Sequence, residues 1–73
     1  MAVYQLRLLR TSRLIHTYPS ESDALAFVRD VVRFGNREQA GQFALDYEDD
    51  PGQTTRVSEG DRLVKRALED RAS

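Results

Sequence analysis

A chain of 73 residues has room for one domain, residues 1 to 73. At this size folding hides only roughly 60% of the surface that the unfolded chain exposes, so stability is thin and a partner surface is an asset. The absence of cysteine excludes disulfides and thiolate-held zinc as staples, and a formal charge of −1 argues against general nucleic-acid affinity, which rests on neutralising phosphates. With 40% hydrophobic and 32% charged residues the composition is that of a folded domain with a wet surface. No charged leader precedes an apolar stretch, and no apolar run approaches the ~20 residues that span a bilayer, so the expectation is a cytoplasmic protein with no membrane contact. The ten-to-one excess of arginine over lysine hints at a GC-rich bacterial coding sequence.

Residues 3 to 9 alternate, with Tyr4, Leu6 and Leu8 on one face and Gln5 and Arg7 on the other, which is the pattern of a half-buried strand. The polar stretch Arg10-Thr11-Ser12 breaks it. Residues 13 to 18 then resume with β-branched and aromatic side chains, predicting a hairpin return. Pro19 stops this second strand. Ser20, with Asp23 three residues on, reads as an N-cap with a short version of the capping box. The following helix carries Ala24, Leu25, Phe27, Val28, Val31, Val32 and Phe34 on one half of its wheel and Arg29, Asp30 and Arg33 opposite. Gly35 is expected as its left-handed C′ residue, with a polar connection from Asn36.

Phe43, Leu45 and Tyr47 alternate with Gln42, Ala44, Asp46 and Glu48, predicting a third strand with an acidic polar face. Asp50-Pro51-Gly52 suits a type II turn inside a somewhat longer loop, after which residues 53 to 57 return as a fourth strand. Ser58 repeats the cap signal with Asp61, and Leu63, Val64, Ala67 and Leu68 form the apolar stripe of a second helix reaching about Arg71. Ser20-Glu21-x-Asp23-x-Leu25 recurs as Ser58-Glu59-x-Asp61-x-Leu63 at an offset of 38, and the strand triplets match at 39. A tandem ββα duplication is one reading of this pattern, and the shared letters of any two capped helices are the other.

The predicted fold is therefore α+β, ββαββα, with a four-stranded antiparallel sheet and two helices on one face. The opposite face is then open and carries the side of Arg7, including Val3 and Leu9, together with either Leu14 or Ile15. An apolar patch of this kind on a small chain suggests association, and Val3, Leu9 and Ile15 are the expected interface of a homodimer or of a complex with another protein.

Other candidates are weaker. His16, the single histidine, could serve as a base, but no nucleophile is paired with it in the sequence, and a structural or surface role is favoured. The acidic run Asp46, Glu48, Asp49 and Asp50 offers carboxylate oxygens to a hard cation but lacks EF-hand spacing and reads as a solvated turn. Arg7, Arg10 and Arg13 surround the first hairpin tip and could grip phosphates, and Arg29, Arg33 and Arg37 form a second row at i, i+4 and i+8. No glycine-rich phosphate loop, nucleophile elbow or spaced histidine pair is present, so neither catalysis nor a cofactor is expected. Residues 1 to 37 carry a net +3 and residues 38 to 73 a net −4, a polarity that is self-complementary in an assembly. The function expected from these features is a non-catalytic, self-associating interaction module, with a nucleic-acid-binding module as the alternative.

Overall fold

The computed structural model describes residues 3–70. Its elements are β1 (Val3–Leu8), β2 (Leu14–Tyr18), α1 (Glu21–Phe34), α2 (Arg37–Ala40), β3 (Phe43–Asp50), β4 (Gln53–Glu59) and α3 (Gly60–Glu69). The strands form one antiparallel sheet in the order β2-β1-β3-β4, so each hairpin stays intact and the first strands of the two hairpins meet in the middle. This is the predicted ββαββα arrangement, with one extra helical turn. The molecule measures 33 × 31 × 17 Å, a thickness that accommodates one sheet and one layer of helices.

The core forms where the strand and helix periodicities meet. Leu6, Phe43 and Leu45 from the central strands pack with Ala24, Leu25 and Val28 of α1, Ala40 of α2, and Leu63, Val64 and Ala67 of α3. An aromatic row runs along the same layer, with Tyr18 and Phe27 centroids 6.3 Å apart and Phe27 and Phe43 centroids 5.9 Å apart. A shift of 39 residues carries one half onto the other: Leu6 onto Leu45, Ala24 onto Leu63, Leu25 onto Val64 and Val28 onto Ala67, all of them buried. The register Leu6↔Leu45, Tyr4↔Tyr47, Leu8↔Phe43 places the approximate two-fold axis between Leu6 and Leu45. Bulges fall at equivalent points, after Leu6 in the first hairpin and after Leu45 in the second.

The helix starts also obey this shift, and they correct the sequence reading of the second cap. The Ser20 hydroxyl accepts from the Asp23 amide at 3.2 Å, as the capping signal requires. Ser58, however, pairs in β4 opposite Leu45, and the N-cap is Glu59, which makes no side-chain capping bond. The strand ladder holds Ser58 in place, so β4 runs two residues beyond the expected Val57. Helix α3 ends at Glu69, and the expected end at Arg71 lies outside the described residues.

The other departures are local. Asn36 opens the four-residue α2, its side chain accepting from the Gln39 amide at 2.6 Å, where a plain connection was expected. Gly35 has φ −116° and ψ −116° and is not left-handed; a side chain is excluded because a Cβ there would lie 2.8 Å from the Val31 carbonyl oxygen. Pro51 and Gly52 alone connect β3 to β4, a tighter loop than expected, with Gly52 at φ +84° as a type II turn needs. Phe34 and Leu68, placed on apolar stripes by periodicity, are 84% and 42% exposed. Phe34 sits at the margin of its half-wheel in the last turn of α1, where the core no longer reaches it.

Candidate functional site

The open face of the sheet is where the sequence reading departs most from the structure. Its centre is a polar network in which the Asp46 carboxylate, at 7% exposure, lies between two guanidinium groups. Arg7 Nε is 3.6 Å from one oxygen, and Arg56 Nε donates to the other. Arg7 also donates to Gln5 Oε1 and to the Ser12 carbonyl, both at 2.9 Å, and Arg56 donates to Glu59 at 3.0 Å. Asp46, chiefly through this hydrogen bond, holds the Arg56 guanidinium above its ordinary pKa. Bonded charge thus covers the middle of the face where an apolar patch was expected.

The proposed interface residues separate accordingly. Val3 lies half-buried at the start of β1 opposite Glu48. Leu9 is half-buried beyond the end of β1; its amide donates to the Gln42 carbonyl at 2.8 Å, and its Cδ1 lies 3.8 Å from where a Cβ on Gly60 would sit. Ile15 is on the edge strand. The bulge sets His16 opposite Leu6 and Leu14 opposite Arg7, with Ile15 the extra residue between them, so the alternation that put His16 in register with Leu14 fails. Both Leu14 and Ile15 are exposed, at 44% and 39%. His16 is exposed too, its ring edge-on to Tyr18 with centroids 4.7 Å apart.

The remaining candidates sort by end of the molecule. Asp46 is taken by its two arginines, and Glu48 accepts from the Gly52 amide at 3.4 Å across the turn. Among the described residues no three metal-ligating side chains converge. The directions of the strands and helices put Glu21, Asp23, Asp49, Asp50, Glu69 and Asp70 at one end of the strand axis. There a groove of about 260 Å³ between α1 and α3 is lined by Glu21, Leu25, Arg66, Glu69 and Asp70 and bridged by Arg66, which donates to both oxygens of Glu21 at 2.9 Å. Arg29 donates to the Asp70 carbonyl at 2.7 Å and so leaves the row it was expected to form; Arg37 belongs to α2.

Toward the other end of the strand axis lie Arg10 and Arg13 of the first turn, Arg33 and Phe34 of α1 and Arg37 of α2, together with Glu38 and Asp61. Arg10, Arg13, Arg33 and Arg37 are exposed, and none of them makes an ion pair among the described residues. Sequence reading missed this grouping because it depends on how α1 returns antiparallel to β2. No helix among the described residues is long and apolar enough to cross a membrane. No protein-family model matches the chain, and comparison with curated proteins and with solved structures gives no match.

Proposed function

We propose that this protein is a non-catalytic interaction module that self-associates through the free edge of β2. The observation that carries the reading is the contrast between the two edges of the sheet. Along β2 the residues 14 to 17 are all exposed, and two of them are the large apolar pair Leu14 and Ile15. Along β4 the exposed residues are Gln53, Thr54, Thr55, Arg56 and Glu59, and two register shifts interrupt its pairing with β3. Each edge strand carries one bulged residue, Ile15 in β2 and Val57 in β4, so the contrast lies in the side chains: polar ones protect a sheet edge from further pairing, whereas an apolar edge is a template for a second strand.

A second copy pairing β2 against β2 across a two-fold axis gives a closed dimer with one continuous eight-stranded sheet. Antiparallel pairing sets the Arg13 end of one strand beside the Tyr18 end of the other, where Glu21 and Asp23 stand in the first turn of α1, so unlike charges meet twice. Pairing β2 with β4 of the next copy would instead propagate without closure. The interface assigned here is Leu14 and Ile15; Val3 and the half-buried Leu9 stand outside it. The test is the solution mass of the wild type and of Ile15→Asp, with a folded monomeric variant expected and an unchanged mass contradicting the assignment.

A further inference from the structure

Apart from Arg13, which flanks the β2 edge, the basic end of the molecule lies outside the proposed edge pairing, and it has a feature that a merely solvated charge cluster does not require. Phe34 is 84% exposed, by far the most exposed large apolar side chain among the described residues. The Arg33 guanidinium carbon stands 6.0 Å from its ring centroid. Arg37 follows three residues on at the start of α2. The loop after α2 is tied back to the first hairpin by the Leu9 amide donating to Gln42, which sets Arg10 and Arg13 at this same end.

The geometry points to a binding site for single-stranded nucleic acid, in which Phe34 stacks on a base and Arg10, Arg33 and Arg37 meet the flanking phosphates. An exposed ring beside unpaired guanidinium groups is the pairing that sequence-tolerant single-strand binders use, because every base offers a π face and every linkage a charge. Arg7, the third arginine of the hairpin, is held by Gln5, Ser12 and Asp46 and takes no part. Glu38 and Asp61 offset part of the positive charge at this end, and the acidic residues at the far end repel a polyanion laid along the whole molecule, so contact is confined to a short segment of strand. This also accommodates a net charge of −1. A duplex offers no unstacked base to Phe34, and single strands are therefore the ligand.

The test is fluorescence anisotropy with a labelled 12-nucleotide oligothymidylate, run on the wild type and repeated on Ile15→Asp so that the result does not depend on self-association. Unlabelled polyphosphate and a polyglutamate peptide serve as competitors. We expect binding that weakens steeply with salt, loses about tenfold with Phe34→Ala, is retained by Phe34→Tyr and is abolished by Arg33→Glu with Arg37→Glu. Phe34 is exposed, so its replacement leaves the fold intact. No binding at low salt, indifference to Phe34→Ala, or equal competition by polyphosphate or polyglutamate overturns the assignment, the last two marking a site for charge alone or for an acidic protein.

Discussion

Leu6 and Leu45 face each other across the β1–β3 pair, both fully buried, at the point where the approximate two-fold axis crosses the sheet. Each is the central residue of its half, and each has the helix of its own hairpin above it. Truncating either one opens a cavity that both halves line. Leu45→Ala should cost about 2–5 kcal/mol, against a total of roughly 4–11 kcal/mol expected for a chain of this length. Urea unfolding followed by circular dichroism measures it, and a loss below about 1 kcal/mol would show that this pair is not the centre of the core.

The open face makes a second prediction. Asp46 is mostly buried and paired with Arg7 and Arg56, so Asp46→Ala leaves Arg7 without its carboxylate partner and Arg56 with Glu59 alone. A loss of about 1–3 kcal/mol is expected, and Arg7→Ala with Asp46→Ala should cost less than the two single changes together. Strict additivity in the double-mutant cycle would mean that the ion pair contributes nothing.

The helix caps provide a third. Ser20→Ala removes a hydroxyl that accepts from the Asp23 amide and should cost about 1 kcal/mol. Ser58→Ala should cost distinctly less, because Ser58 is a strand residue and Glu59 occupies the cap. Equal losses at the two serines would restore the repeated-cap reading of the sequence.

These residues also show what the sequence could and could not reveal. The alternation of Tyr4, Leu6 and Leu8 and of Phe43, Leu45 and Tyr47, and the stripe Ala24, Leu25 and Val28, are local periodicities, and local periodicity carried the element order and the core. The one-residue error at Ser58 arose because a strand ladder outbid a capping serine, a competition decided by the pairing partner Leu45, 13 residues away. The bulge at Ile15 is likewise set by pairing with β1. The open face misled because alternation tells which residues share a side but not which of them bond: Arg7, Asp46 and Arg56 come from three strands. The basic end around Phe34 was illegible for the same reason, since its arginines lie in three separate segments that only the return of α1 brings to one end.

Tyrosine ionisation makes the fourth prediction. Burial first, and then the Asp23 charge, raise the Tyr18 hydroxyl above its ordinary value near 10, and Asp49 chiefly raises Tyr47. A raised folded-state pKa means that the native protein holds these protons more tightly than the unfolded chain does. The stability linked to them is fully present below pH 10 and is lost as pH rises through the folded values. Thermal melts between pH 8 and 11 should show the fall, and Tyr18→Phe should flatten it; an identical slope in the variant would assign the effect elsewhere.

Self-association through β2 doubles the solution mass, which light scattering coupled to size exclusion reads without a label. The wild type should show twice the mass of the chain at tens of micromolar, at both low and high salt, because an apolar strand edge and backbone hydrogen bonds are not screened as surface charges are. Ile15→Asp, checked for native circular dichroism, should run as a monomer. A wild type that remains monomeric across this range, or an Ile15→Asp variant that stays a dimer, would rule out pairing through β2.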